Sequence, residues 1–246
     1  MLEVQSLTIR TGTDTLVKDL SLDLVEGRLT CLIGPSGCGK SSVVKWLAGV
    51  LAPELQVQGR ACLYRKTAVL PHRDIAYQPQ QDTLFPWLTI SENACVGLEI
   101  RGMTRRAAHQ CVRDLFPTFG LQGHEDSFPD QLSGGMRQRA AFLRTIVHEA
   151  RVLLLDEPFS ALDAVTRLRM QGWLTDRLAE RPRAVLMVTH DLYEATQMAD
   201  RVLVMAGGPG RIAADIPITT PRADRSEATL AEIRSTLKSM LLKETT

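Results

Sequence analysis

An α/β fold, with a parallel sheet covered on both faces and a helical segment inserted into it, is predicted by three observations. A short apolar run, Leu29 to Ile33, leads into a glycine-rich turn and then into helical periodicity from Lys40. Beyond residue 150, apolar runs of strand length alternate with helical segments, the pattern that builds a parallel sheet with helices on its faces. Between these, from about Asp82 to Ala150, helical periodicity dominates and strand runs vanish. The 246 residues exceed the usual single-domain size but fit one large α/β unit with an insertion.

Each element has its own signal. Leu2 to Ile9, Leu16 to Val25 and Leu29 to Ile33 read as strands, with Glu26-Gly27-Arg28 turning between the last two. A helix is expected from Lys40 to about Leu51, with Val44, Leu47 and Ala48 on one face, stopping before Pro53 because proline disfavours helix at the residue ahead of it. Gly59 to Tyr64 and Asp74 to Gln78 are strand-like, and Pro117 and Pro129 divide the helical insertion. After it, Val152 to Leu155 and Ala184 to Thr189 read as strands, Ala164 to Ala179 and Leu192 to Met198 as helices. Arg201 to Met205 and Ile212 to Ile218 close the pattern around the turn Gly207-Gly208-Pro209-Gly210. In the tail, Asp224 with Glu227 three positions on reads as a helix start. The stripe Leu230, Ile233, Leu237, Met240 and Leu241 that follows is expected to pack on the body.

With 29 basic and 28 acidic side chains and no long single-sign run, the chain advertises neither nucleic acid nor anionic lipid as a partner. Its apolar runs fall far short of the roughly 20 residues that span a bilayer. The acidic start Met1-Leu2-Glu3-Val4 is unlike a signal peptide, so a soluble, cytoplasmic chain is expected. Five cysteines without a CxxC pair agree with a reducing compartment. Cys38 lies beside a helix start and a lysine, which favour thiolate, although a small filler residue is the better reading of it.

Gly34-Pro35-Ser36-Gly37-Cys38-Gly39-Lys40-Ser41 fits GxxxxGK[ST], in which backbone N–H groups and a helix N-terminus face phosphate oxygens. Lys40 is expected to reach the β- and γ-phosphates and Ser41 to ligate Mg²⁺. Asp156 and Glu157 end an apolar strand, at the carboxyl edge where parallel sheets bind ligands; Asp156 suits Mg²⁺ and Glu157 the attacking water. His190 emerges at the same edge after Thr189, able to donate to the γ-phosphate and hold the carboxylate partner of the water. Gln78 ends the strand from Asp74, where its carbonyl could touch Mg²⁺ or the water, or where it serves only as a polar strand end or hinge.

Leu132-Ser133-Gly134-Gly135-Met136-Arg137-Gln138-Arg139 is the discriminating element. Together with the motifs above and Ser160-Ala161-Leu162-Asp163, it resembles the ATP-binding-cassette ATPases over nearly the whole chain. The resemblance implies a P-loop NTPase core with an antiparallel β subdomain (about 1–82 and 151–222 together), an inserted α-helical subdomain (about 83–150) and a helical tail (223–246). It implies ATP and Mg²⁺ as cofactors. Catalytic roles fall to Glu157, His190 and Gln78, Gln78 as the Q-loop residue, and metal contacts to Ser41, Gln78 and Asp156. Nucleotide contacts fall to Gly34 through Ser42 and to Ser133, Gly134, Gly135 and Asp163. It further implies a head-to-tail homodimer, each ATP enclosed between the phosphate loop of one copy and Ser133 to Gly135 of the other, with Asp163 near the dimer axis.

Leu84 to Asn93 with Gly97-Leu98 is similar to the importer version of this family. That similarity implies separate transmembrane permease subunits, a solute-binding protein and a peripheral position on the cytoplasmic face of the membrane. Phe85 and Trp87 either line the groove for a permease helix or are buried in the insertion. Arg201 to Met205 and Gly208 to Ile212 are similar to the branch for nitrate, sulfonate, taurine and thiamine precursors. Thr11 stands where many relatives carry an adenine-stacking aromatic. The alternatives are a non-transport cassette ATPase, which usually carries a second cassette, coiled coil or basic extension, and a P-loop kinase, which has no use for Leu132 to Gly135.

Overall fold

The computed structural model describes residues 1–243 and arranges ten strands in two sheets among those residues. The smaller sheet, in the order β2-β1-β4-β5, is antiparallel: β1 (Leu2–Thr11), β2 (Asp14–Leu24), β4 (Gln56–Leu63) and β5 (Lys66–Thr67). The larger runs β10-β9-β3-β8-β7-β6 and is built from β3 (Leu29–Ile33), β6 (Ile75–Gln78), β7 (Val152–Asp156), β8 (Ala184–Val188), β9 (Arg201–Ala206) and β10 (Arg211–Pro217). All its pairs are parallel except β9 with β10. The α/β architecture expected from the sequence is present.

Strands β3, β7 and β8 are buried at every position, because both faces of the large sheet are covered. Their side chains alternate between two cores, as the two-residue strand period requires. Cys31, Ile33, Leu153, Leu155, Val185 and Met187 face the core shared with the insertion. Leu32, Leu154, Leu186 and Val188 face the core shared with the small sheet and α1 (Lys40–Leu47).

The insertion contributes α2 (Ile90–Ile100), α3 (Arg105–Arg113) and α4 (Gly134–Val147), with a 3₁₀ turn at Pro129–Gln131. Helix α2 begins with a reciprocal cap: Thr89 Oγ1 accepts from Glu92 N at 3.2 Å and the Glu92 carboxylate accepts from Thr89 N at 2.9 Å. Asn93 accepts from Phe85 N and donates to the carbonyls of Phe85, Leu88 and Thr89, which pins the loop 85–89. Phe85 and Trp87 therefore stand on the surface, 36% and 70% exposed, and not inside the insertion. The joint with the core is aromatic: Phe119 meets Trp173 of α5 (Ala164–Glu180) edge-on at 4.9 Å, and Phe142 meets Phe159 at 5.3 Å.

Two helix limits differ from expectation. Helix α1 ends at Leu47 and not near Leu51, since Gly49 takes the left-handed conformation at φ 72°. The tail helix α7 (Glu227–Lys243) is entered at Ser226, whose Oγ accepts from Thr229 N at 3.2 Å. Asp224 belongs instead to a preceding 3₁₀ turn, Arg222–Asp224. Leu230 and Leu237 are buried, with Ile233, Met240 and Leu241 against the same core, beside α6 (Leu192–Met198). All five cysteines are free thiols, Cys38 among the buried ones. No helix among the described residues is long and apolar enough to cross a membrane.

Candidate active site

Strand β3 delivers the chain into the loop Gly34 to Gly39 and α1 carries it away, so the loop curls at the carboxyl edge of the sheet. Two positions need glycine. Gly39 has φ 99°, and a Cβ there would come within 2.7 Å of Val17. A Cβ on Gly34 would collide with the Met205 carbonyl. The Lys40 amine is folded into the loop, donating to the carbonyls of Gly34 at 2.9 Å and Pro35 at 2.7 Å. Ser41 and Ser42 follow in the first turn of α1.

Ser41 Oγ donates to Asp156 Oδ1 at 3.1 Å, joining α1 to the end of β7. Burial raises the pKa of Asp156, with the Ser41 hydrogen bond opposing it. A nearby cation would relieve that cost. A hydroxyl and one carboxylate suit Mg²⁺, which typically takes one or two carboxylates and completes its shell with water and substrate phosphates. No cluster of three or more His, Cys, Asp or Glu capable of holding a metal occurs among the described residues.

Glu157 follows at φ 49°, a conformation a non-glycine residue holds only at a cost of roughly 1–3 kcal/mol. Its N–H donates to Val188 O at 2.9 Å. One carboxylate oxygen lies 3.3 Å from His190 Nδ1, and the other accepts from Gln80 Nε2 at 3.1 Å. Glu157 and His190 thus meet as the sequence suggests, but the glutamine partner is Gln80. Gln78 is fully buried, its Oε1 accepting from Thr145 Oγ1 of α4 at 2.6 Å and its amide donating to Pro79 O. The register explains the correction: Gln78 pairs with Leu155 inside the sheet, so the residue level with Glu157 in a parallel pair is two positions further on.

Ser133 caps α4, its Oγ accepting from Met136 N at 3.3 Å, while Gly134 and Gly135 form the first turn. Ser133 and Gly134 are exposed, and no hydrogen bond or ion pair joins Ser133 to Gly135 with Gly34 to Ser42 among the described residues. Asp163 caps α5 through Thr166 N at 3.0 Å, and that backbone hydrogen bond holds its carboxyl below the usual range.

The model of the ABC transporter family matches residues 17–160, more than half of the chain. The chain belongs to the ABC transporter family and is one of its ATPases. It is 39% identical over 227 residues to the aliphatic sulfonates import ATP-binding protein SsuB 2 of Burkholderia cenocepacia, covering 92% of this chain and 82% of that one. It is 36% identical over 229 residues to the formylaminopyrimidine import ATP-binding protein ThiZ of Halalkalibacterium halodurans, covering 92% and 88%. A solved ATP-binding subunit of an ABC transporter superposes with a TM-score of 0.81 at 22% identity, covering 98% of this chain and 99% of that one. A dimeric cassette in a post-hydrolysis state, bound to ADP and Pi, superposes with a TM-score of 0.79 at 24% identity, covering 90% and 100%. These two likenesses concern the fold.

In this ABC ATPase the segment after β6 is tied to α4 by contacts the sequence did not reveal. Arg137 Nε donates to Asp82 Oδ2 at 3.0 Å, and Arg144 donates to the carbonyls of Asp82 at 3.0 Å and Thr83 at 2.9 Å. Gln138 reaches Gln80 O at 3.4 Å and Pro158 O at 3.5 Å. These contacts join the Gln80 segment to the helix that starts at Gly134. Arginines spaced along one helix are a local signal, but their partners lie more than fifty residues away.

Proposed function

We propose that this ATPase is the nucleotide subunit of an importer, two copies closing head to tail on two ATP molecules. One observation carries the reading. Glu157 is held by His190 and Gln80 beside Ser41 and Asp156, whereas the start of α4 is exposed at Ser133 and Gly134 and, among the described residues, forms no hydrogen bond or ion pair with the phosphate loop of its own chain. A helix N-terminus attracts anions, and a second copy supplies one in the form of its bound ATP.

The phosphates of ATP take the loop N–H groups and the N-terminus of α1, and Lys40 exchanges the Gly34 and Pro35 carbonyls for β- and γ-phosphate oxygens. Mg²⁺, held by Ser41 and Asp156, neutralises charge on the phosphates when bound. Glu157 orients the attacking water and holds its proton on the carboxylate. His190 and Gln80 fix that carboxylate, and Asp163, near the dimer axis, links the two sites. Gln80→Ala is expected to slow phosphate release by about 10–10²-fold through misplacement of Glu157. Gln78→Ala instead costs about 1–3 kcal/mol of stability by stripping a buried hydrogen bond, with near-normal turnover. Melting curves and phosphate-release assays separate the two.

Thr11 ends β1 on an exposed turn. With no aromatic at that position, base stacking worth about 1–3 kcal/mol is forgone, so Thr11→Tyr is expected to tighten ATP binding by about tenfold or more; unchanged affinity in a nucleotide titration contradicts this.

A cavity of about 610 Å³ bounded by Tyr77, Phe85, Val96, Gly97 and Arg144 is the groove for a cytoplasmic helix of a separate permease subunit, with the Phe85–Trp87 pair beside it. Dimer closure moves the insertion and, through the Arg137 and Arg144 contacts, the Gln80 segment at this groove. The chain acts at the cytoplasmic face of the membrane, with a separate solute-binding protein upstream. Its solute is a small organic anion such as a sulfonate, or nitrate or a thiamine precursor; the relatives named for sulfonate and formylaminopyrimidine import support that range. Co-purification of the permease, followed by ATPase assays in vesicles, tests the assignment. Stimulation by one of these solutes is expected, and turnover indifferent to both permease and solute contradicts it.

A further inference from the structure

A separate cavity of about 250 Å³ opens between the insertion and α5. Leu98, Met103 and Leu115 give it an apolar wall from the insertion, and Trp173, fixed edge-on by Phe119, faces them from the core. Three arginines, Arg177, Arg181 and Arg183, and one carboxylate, Glu149, line the same space, which leaves it an excess of positive charge. Their charges are unequally answered. Arg177, half-buried, pairs with the exposed Glu180 at 2.9 Å, and the exposed Arg181 pairs with the exposed Glu149 at 3.2 Å. Arg183 is buried, its Nη1 donating to the carbonyls of Ile146 at 3.2 Å and His148 at 3.3 Å, and it forms no ion pair among the described residues. Burial first, then Arg177 and Arg181, lower its pKa, and the charge of Glu149 opposes them only in part.

We propose that this cavity binds a small amphiphilic anion, a carboxylate or sulfonate on a short apolar body, with its head among the three arginines and its body against Trp173 and Met103. The head supplies the direct ion pair that Arg183 lacks, since a buried charge is costly until it is paired. The body removes the apolar wall from water. The volume lies below the ~300–1,000 Å³ of drug-sized sites, which limits the ligand to a few carbons. Inorganic anions have no body for the wall, and the arginines repel cations. None of the nucleotide-site residues takes part, so the inference stands or falls independently of the transport reading.

Cys111 supplies the readout. Its thiol lines the cavity 3.9 Å from Met103 Sδ, and the other four cysteines are buried. The rate of Cys111 modification by N-ethylmaleimide, followed by intact mass, is measured with hexanesulfonate, hexanoate, inorganic sulfate or hexylammonium present. The two hexyl anions are expected to slow labelling by about tenfold at ten times their Kd, with sulfate and hexylammonium without effect. Arg177→Gln/Arg181→Gln, at one half-buried and one exposed position, is expected to lose the protection while keeping its melting temperature and its unliganded labelling rate. Absence of protection by both hexyl anions, equal protection by sulfate, or full protection in the double variant overturns the proposal.

Discussion

Replacing Glu157 by Gln is expected to slow ATP hydrolysis by about 10²–10⁴-fold, the range for loss of a general base, while leaving ATP binding nearly intact. The amide preserves the size of the side chain and can still meet Gln80 and His190, which hold the two carboxylate oxygens at 3.1 and 3.3 Å. What it cannot do is accept a proton from water. The strained backbone at φ 49° fixes where the side chain is aimed and is unaffected by the exchange. Phosphate release and equilibrium nucleotide binding, measured on the same preparation, check both halves. A variant that turns over within about threefold of the parent would remove Glu157 from the role of base, since a lost base costs at least about 10²-fold.

Replacing Lys40 by Ala is expected to act earlier, on binding. Its amine is buried among the loop carbonyls of Gly34 and Pro35, at the mouth of the α1 dipole. A hydrogen bond to a charged partner contributes about 1.5–3 kcal/mol. One such bond to phosphate therefore amounts to about 10–150-fold in ATP affinity, and two to more. Direct titration with nucleotide reads this, with a melting curve to establish that the loop still folds. Unchanged affinity contradicts the placement of Lys40 on the phosphates.

What could be read from the chain alone followed from local pattern. Strand β3 was legible to the residue because five apolar positions precede a glycine turn, and the helix Leu192–Met198 has the bounds expected for it. Ser41, Asp156, Glu157 and His190 converge because parallel strands deliver their carboxyl ends to one edge. The sequence offers Gln78 for the site where the structure sets Gln80 beside Glu157, for a reason of register: Gln78 ends β6, Gln80 lies just beyond it, and only pairing with β7 decides which one clears the sheet. The start of α7 was misplaced because Asp224 and Ser226 both offer caps, and the 3₁₀ turn at Arg222–Asp224 takes the first. The contacts of Arg137 and Arg144 depend on the folding of the insertion against β6, which no local signal encodes.

The central claim is that the site is completed by a second copy. It is tested most directly by the mass in solution of the Glu157→Gln chain with ATP and Mg²⁺, alone and combined with Gly135→Asp. Gly135 has ordinary backbone geometry, and a Cβ there meets only Ala161 O, at 3.5 Å. An acid in the first turn of α4 favours the helix but repels an incoming phosphate. The account predicts twice 27.2 kDa for Glu157→Gln and 27.2 kDa for the double variant, with ATP bound in both. A double variant that pairs as readily as the single one would contradict it.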